Sequence, residues 1–507
     1  MRTFPRSSGI LLHPTMLPGP CGIGALGEYA LSFLDWLKKA GQSYWQICPL
    51  VPTGYGDSPY QGFSAFAGNP NLIDLDELVY LGMLNAEDIS PLGRLPDSAV
   101  DFGRLIPLKS SILRQAWKRF SSGAGSRKLH QEFSDYRKDI SHRLEEYGLF
   151  MAIKENQGGK PWYQWPTPLR FREEPAMEKI KADLENAQNY HLFLQFIFNK
   201  QWMKVKREAH RKGIHIIGDI PIFVSYDSSD CWANPEIFQL DEDRCPAHVA
   251  GVPPDYFSAT GQLWGNPLYN WSAMEQDGFE WWLSLLKNKF EQYDALRIDH
   301  FRGFVAYWAV PYGEETAVNG QWVSAPGEKL FRKVNDLLKD PPIIAEDLGV
   351  ITDDVRALMQ ECGFPGMKVL QFAFDSSEEN NYLPHNYGRH CLVYTGTHDN
   401  DTTAGWYETA AEGDKAAMRG YLKLPEGISG RQAAEAIVKA AMYSKAALAV
   451  TPIQDILGLG SEARFNTPGQ THGNWSWRVP KDAFSPQLAD NLWKLTQKSD
   501  RLAQKLA

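Results

Sequence analysis

The stretch DALRIDHFRGF, residues 294–304, joins the interior of a strand to a charged end. It begins with the small and aliphatic residues of a buried strand, but it also carries four charged or titratable groups within six positions: Arg297, Asp299, His300 and Arg302. In α/β barrels the strand ends meet at one face, which carries the active site. The stretch therefore predicts a core strand that delivers its last residues into a cleft.

Similar aliphatic runs recur along the chain and alternate with helical patterns, which favours a repeated βα architecture. The predicted strands are 43–50, 69–75, 213–224, 294–299, 341–347, 367–374, 391–399 and 447–455. Eight strands match a (β/α)₈ TIM barrel better than an open sheet, which more often has five or six. We therefore expect an α/β fold of this class.

Two gaps between predicted strands are too long for simple connections. The first contains amphipathic patterns and predicts a mainly helical subdomain, residues 84–200, between the second and third strands. The second is rich in Pro, Gly, Asp, Trp and Tyr, and predicts a loop-rich cleft segment, residues 225–278, between the third and fourth strands. Residues 1–507 are thus expected to form one decorated barrel, with no all-β domain after it.

Composition narrows the classes of partner. The chain has 507 residues and a formal net charge of −9 without a basic run, so we expect neither nucleic acid nor a membrane as partner. The six cysteines are scattered without a C-x-x-C pair, which favours reduced thiols over a disulfide scaffold. Neither a signal-peptide core nor a membrane-spanning run is recognisable, which favours a cytoplasmic location.

Acidic residues cluster where the predicted strands end. They are Asp219, Asp299, Glu346, Asp347 and Asp399. A single acid in such a position commonly caps the next helix. Asp299 and Asp399, however, are followed by loop-like sequence, HFRGF and NDT, so capping does not explain the set.

Converging carboxylates either bind a divalent cation or divide the work of cleaving a glycosidic bond. Arg297 lies two residues before Asp299 on the same side of the strand and would keep that carboxylate ionised, as a nucleophile requires. A neighbouring anion would raise the pKa of Glu346, which suits a proton donor. Cation binding by this set is disfavoured because Arg297 would compete with the ion.

The aromatic share of 12% is high, and the segment PPDYFSATGQLWGNPLYNW, residues 253–271, mixes aromatic with planar polar side chains. Such mixtures line carbohydrate clefts, where sugar faces stack on aromatic rings. The alternative is a loop whose aromatic residues form a local core of its own. The sequence leaves both open.

Long blocks of the chain identify a family. They are ILLHPTMLPGPCGIGALG, YWQICPLVPTGYGDSPYQGFSAFAGNPNLIDL, GDIPIFVSYDSSDCWANP, GVPPDYFSATGQLWGNPLYNW, LRIDHFRGF, IIAEDLG, GTHDNDT and RFNTPG. In content and order they resemble the 4-α-glucanotransferases, or amylomaltases, of glycoside hydrolase family 77 in the α-amylase clan. The resemblance runs through nearly the whole chain.

This resemblance implies a retaining double displacement and no organic cofactor, and the sequence leaves a structural cation open. Asp299 would be the nucleophile, Glu346 the acid and base, and Asp399 a holder of the donor sugar. The implied substrate-binding residues are Ser58, Tyr60, Asp219, Asp255, Trp264, Asn266, Arg297, His398 and Asn466. The implied partners are α-1,4-glucans such as maltooligosaccharides, amylose, starch or glycogen, with glucose as an acceptor. The oligomeric state stays open.

Two other functions remain as alternatives. An α-amylase-type hydrolase would use the same carboxylates and differ only in letting water capture the intermediate. A glycan-binding protein that has lost catalysis would lack a catalytic carboxylate, yet Asp299, Glu346 and Asp399 are all present.

Overall fold

The computed structural model describes residues 4–254, 258–375, 377, 379–470 and 472–502, with the side chain of residue 55 outside the description. Its strands, in chain order, are β1 (Ser7–Leu11), β2 (Tyr44–Gln46), β3 (His215–Ile220), β4 (His248–Val252), β5 (Gln262–Pro267), β6 (Ala295–Ile298), β7 (Ala306–Pro311), β8 (Gln321–Ser324), β9 (Ile343–Ala345), β10 (Gly366–Val369), β11 (Cys391–Tyr394) and β12 (Leu448–Pro452).

Eight of these strands form a parallel barrel in the order β1, β2, β3, β6, β9, β10, β11, β12, and β12 pairs back onto β1. Every residue of β1, β2, β6, β9, β11 and β12 is buried, which explains why all of these strands except β1 lie in predominantly apolar runs. The ring is weakest between β9 and β10, where Ala345 N donates to Pro365 O at 3.0 Å. The predicted (β/α)₈ barrel is confirmed.

The helices of the described residues are α1 (Glu28–Lys39), α2 (Leu75–Tyr80), α3 (Ala86–Ile89), α4 (Phe102–Ser121), α5 (Arg127–Asp139), α6 (His142–Asn156), α7 (Thr167–Arg170), α8 (Glu174–Asp183), α9 (Glu185–Arg211), α10 (Ser229–Ala233), α11 (Trp271–Gln276), α12 (Glu280–Gln292), α13 (Gly327–Leu338), α14 (Asp353–Cys362), α15 (Thr403–Thr409), α16 (Glu412–Leu422), α17 (Gly430–Tyr443), α18 (Ile453–Leu457) and α19 (Pro486–Lys498). In the described part of the chain, no helix is both long and apolar enough to cross a membrane.

The predicted strand at residues 69–75 is wrong. Asn69 and Asp74 cap a short helical turn and α2, because their side chains accept from the backbone N–H groups of Asn71 and Glu77 at 2.9 and 3.2 Å. Asn and Asp are strong caps, so the run NPNLIDL contains two helix starts rather than a strand.

The first barrel strand is instead β1, which sequence reasoning missed. Its sequence, SSGIL, has two serines and a glycine and little β propensity. The glycine is required by packing, since a Cβ at Gly9 would lie 2.6 Å from Cβ of Tyr44 on β2. Gly9 therefore allows β1 and β2 to approach closely, and its presence removes the apolar pattern by which a strand is recognised in sequence.

A second sheet covers one side of the barrel mouth. It is antiparallel, has the order β5, β4, β7, β8, and combines chain from before and after β6. The segment 225–278, expected to be loop-rich, thus contributes two strands to it. Between β2 and β3 the chain forms α2 to α9, and α9 packs against the barrel.

Candidate active site

The centre of the cleft is an arginine shared by two carboxylates at neighbouring strand ends. Arg297 on β6 donates through Nη1 to both oxygens of Asp219 on β3, at 2.9 and 2.7 Å. Its Nη2 donates to Oδ1 of Asp299 at 2.7 Å. Although burial opposes it, the charges of Asp219 and Asp299 raise the pKa of Arg297 well above its ordinary value. The arginine therefore stays charged and fixes both carboxylates.

The two carboxylates differ in their access to the cleft. The side chain of Asp219 is 1% exposed, whereas that of Asp299 is 30% exposed. Asp299 is thus held at one oxygen by a buried cation and still reaches the solvent side, the arrangement that a nucleophile needs.

Glu346 follows β9 and is almost fully buried. Its two oxygens accept backbone hydrogen bonds from the N–H groups of His300 and Leu348, both at 2.7 Å. His300 has left-handed backbone torsion, φ 50°, which turns its N–H toward this carboxylate. Burial, and then the charge of Asp299, raise the pKa of Glu346 to about 8. Near neutral pH this group is predominantly a carboxylic acid.

A third group of side chains surrounds Asp399. Asn466 donates to Oδ1 of Asp399 at 2.6 Å, and Nε2 of His398 lies 3.3 Å from the same oxygen. The ring of His398 stacks on Tyr60 with centroids 4.9 Å apart, and Tyr60 donates to Asp219 at 2.9 Å. This chain of contacts joins the end of β11 to the end of β3. Asp399 itself is 45% exposed and faces the cleft.

The remaining expected residues lie around these groups, except one. Ser58 Oγ accepts from the N–H of Tyr60 at 3.2 Å, and Asn266 donates to Val224 O at 2.8 Å. Trp264, on β5, meets the ring of His300 edge to face, with centroids 4.8 Å apart. Asp255 lies outside the described residues.

Sequence reasoning missed several residues that hold the site together. Gln61 donates to Asn266 Oδ1 at 3.2 Å, and Arg464 donates to the carbonyl oxygen of Asp399 at 2.7 Å. Trp475, with φ 62°, lies 5.8 Å from the Tyr60 ring and 5.9 Å from the His398 ring. Arg464 begins the block RFNTPG and lies two residues before the expected site residue Asn466, so its position in the sequence could have indicated a place in the cleft.

The fold is a (β/α)₈ barrel whose strand ends gather several carboxylates in one cleft, an arrangement found in glycoside hydrolases. The model of glycoside hydrolase family 77, 4-alpha-glucanotransferase, matches residues 12–483. The chain belongs to this family, the 4-α-glucanotransferases.

Individual relatives agree over the full length. The 4-alpha-glucanotransferase of Thermus thermophilus is 51% identical over 504 residues, covering 98% of this chain and 100% of that protein. The one from Synechocystis is 48% identical over 497 residues, covering 97% of each chain. The amylomaltase of Streptococcus agalactiae, solved in complex with acarbose, has a TM-score of 0.94 at 38% identity, covering 98% of this chain and 100% of that one.

Proposed function

We propose that this chain moves α-1,4-glucan segments from a donor glucan to the 4-hydroxyl of glucose or of another glucan. The reaction is a retaining double displacement through a covalent glycosyl-aspartate. Its donors are maltooligosaccharides, amylose, starch or glycogen. The observation that carries the proposal is the pairing of Asp299, fixed by Arg297, with Glu346, whose pKa is raised to about 8.

In the first half-reaction Asp299 attacks the anomeric carbon and Glu346 protonates the departing glycosidic oxygen. The new bond joins the carbon to a carboxylate oxygen of Asp299, and the bond to the leaving sugar breaks as that sugar takes the proton. Arg297 orients the nucleophile through Oδ1. A protonated Glu346 beside an ionised Asp299 is the division of roles that retaining enzymes use.

In the second half-reaction the ionised Glu346 removes a proton from the acceptor's 4-hydroxyl, whose oxygen then displaces Asp299. The anomeric configuration is inverted twice and is therefore retained. Asp399 binds hydroxyls of the donor sugar, with Asn466 and His398 fixing its carboxylate. His398 and Asp219 bond hydroxyls of the same sugar, and Tyr60 lies between them, stacked on His398 and donating to Asp219.

The acceptor side is proposed to lie under the inserted segment 225–278, and the helical segment 84–200 is proposed to be a separate inserted subdomain. Trp264 supports this placement, since its contact with His300 brings β5 next to the residue that follows the nucleophile. Asn266 anchors the end of β5, and Gln61 donates to it. An aromatic ring here would stack on the acceptor sugar and displace water, which favours transfer over hydrolysis.

We expect maltotriose alone to be converted into a ladder of longer glucans together with shorter sugars, including glucose. Total reducing ends stay constant, because each cleaved bond is replaced by another of the same kind. Chromatography of the products with a parallel reducing-end assay measures both quantities. Only shorter sugars with rising reducing ends would identify the α-amylase-type hydrolase instead.

Replacing Trp264 by Ala is expected to raise the ratio of hydrolysis to transfer by about tenfold, as stacking worth about 1–1.5 kcal/mol is lost to the acceptor but not to water. The number of new reducing ends measures hydrolysis, and the remainder of the total bond cleavage measures transfer. Trp322→Ala, at an exposed tryptophan on β8, serves as the matched control. An unchanged ratio of hydrolysis to transfer in Trp264→Ala would show that Trp264 does not contact the acceptor sugar.

We expect kcat/KM to fall as pH rises above about 8. Glu346 must carry its proton to start the reaction, and burial with the charge of Asp299 raises its pKa to about 8 in the free enzyme. The rate then drops about tenfold per pH unit on the basic side. A pH profile of kcat/KM tests this, and a basic midpoint near the ordinary glutamate value would contradict the assignment.

A cytoplasmic location is part of the proposal. All six cysteines are free, three of them buried, which supports a protein that works in a reducing compartment.

A further inference from the structure

Three metal-ligating side chains meet at the N-terminal face of the barrel, opposite the cleft. His210 lies in the last turn of α9, His215 is the first residue of β3, and Asp294 directly precedes β6. Within the described ranges they form the one group of three or more such residues whose donor atoms all lie within 4.8 Å of one another. From this geometry we propose a zinc-binding site formed by His210, His215 and Asp294, with water completing the coordination.

The donor set suits zinc. Two imidazoles and one carboxylate are ordinary ligands of this ion, at about 2.0–2.2 Å from the metal, which places neighbouring donors roughly 3.3 Å apart. Nε2 of His210 already lies 2.8 Å from Oδ1 of Asp294. Only the donor of His215 has to approach, and its side chain is exposed enough to rotate.

Asp294 is held in place before any ion binds, whereas His215 turns to complete the site. Asp294 Oδ2 accepts the N–H of Ile216 at 2.8 Å, which directs Oδ1 toward His210. The ring of His215 lies against Tyr44 with centroids 5.5 Å apart. Such partners orient a ligand and reduce the entropy lost on binding.

One neighbouring charge opposes the ion. Nζ of Lys206 lies 3.8 Å from Asp294 Oδ1, although it also donates to the carbonyl oxygens of Glu291 and Tyr293 at 2.9 and 3.3 Å. The ammonium would repel a divalent cation across this short distance. The site therefore binds zinc with an affinity limited to the micromolar order, and removal of the charge should tighten binding.

A bound ion would join α9, β3 and the turn before β6 far from the catalytic carboxylates. Because it binds the folded chain and not a matching arrangement in the unfolded one, it stabilises the fold by mass action. The site is thus a stabilising clamp on the barrel floor, with no part in glycosyl transfer.

Equilibrium dialysis of the full chain against Zn²⁺ at about pH 7.5, where imidazoles are largely neutral, tests the site. We expect one zinc per chain, at least tenfold weaker binding in His215→Ala and Asp294→Asn, and tighter binding in Lys206→Met. Zinc should raise the thermal unfolding temperature of the unsubstituted chain but not of His215→Ala. Substitution by Co²⁺ should give the visible absorption of a four-coordinate site.

His142→Ala is the matched control, since His142 is also exposed and lies 3.6 Å from a carboxylate, Glu146. It should bind zinc as the unsubstituted chain does. Absence of micromolar binding would overturn the proposal. So would binding that survives in His215→Ala and disappears in His398→Ala, because the ion would then occupy the catalytic cleft.

Discussion

Replacing Asp299 by Asn is expected to lower kcat by roughly 10⁴-fold or more, the loss typical of removing a covalent nucleophile. The amide has nearly the same shape, and its oxygen can still accept from Arg297. It cannot, however, form a stable ester with the anomeric carbon. We therefore expect a folded protein with unchanged thermal unfolding that binds maltooligosaccharides and does not turn them over.

The comparison requires an aspartate variant outside the cleft. Asp353→Asn, at the fully exposed start of α14, should keep the activity of the unsubstituted chain. Transfer rates measured with maltotriose report the loss of turnover, and calorimetry reports whether binding of maltooligosaccharides is kept. If Asp299→Asn kept more than about a tenth of the activity, covalent catalysis through this residue would be excluded. The glycan-binding alternative would then be favoured, and the measured activity would have another source.

Replacing Glu346 by Gln is expected to lower kcat for maltooligosaccharides by roughly 10³-fold, within the range attributed to general acid and base catalysis. The amide oxygen can accept only one of the two backbone hydrogen bonds that Glu346 accepts from His300 and Leu348. The amide also cannot protonate the departing glycosidic oxygen. A donor with a leaving group that needs no proton, such as α-glucosyl fluoride, should restore the first half-reaction. The second then becomes slow, and a glucosyl adduct on Asp299 should accumulate and be visible by mass spectrometry.

The same substitution has a consequence for stability. The pKa of Glu346 is raised from 4.5 to about 8 in the folded chain, so folding favours the protonated form. Stability that depends on this proton is fully present below about pH 4.5 and is lost as pH rises through about 8. Relative to the unsubstituted chain, Glu346→Gln should therefore be more stable at alkaline pH than in acid, where it lacks one of the two backbone hydrogen bonds and gains nothing from its lack of charge. Equal differences at both pH values would contradict a buried, protonated acid.

The barrel could be predicted from sequence because most of its strands are buried on both faces and therefore read as aliphatic runs. Strand β1 could not be recognised, because its glycine is required by the close approach of Tyr44 on the neighbouring strand and lowers the local β propensity. The same holds for the antiparallel sheet, whose short strands contain Pro, Gly and exposed polar residues.

In the cleft, residues at strand ends could be predicted, and their partners could not. Arg297 and Asp299 are two apart on one strand, so their contact follows from the period of the strand. The hydrogen bond from Gln61 to Asn266 joins residues 205 apart, and no local pattern encodes it. Trp475, which follows β12, reaches the ring of Tyr60, which follows β2, because the barrel closes through the pairing of β12 with β1.

The shared arginine leaves the charges of the cleft unbalanced. Asp219, Asp299 and Asp399 each carry a formal negative charge against the positive charges of Arg297 and Arg464, and Glu346 is neutral below its raised pKa. The cleft is therefore an anionic cage. A glycosyl ring gains positive, oxocarbenium-like character only as its bond breaks, so the cage attracts the ring most strongly at that moment and releases neutral sugars afterwards.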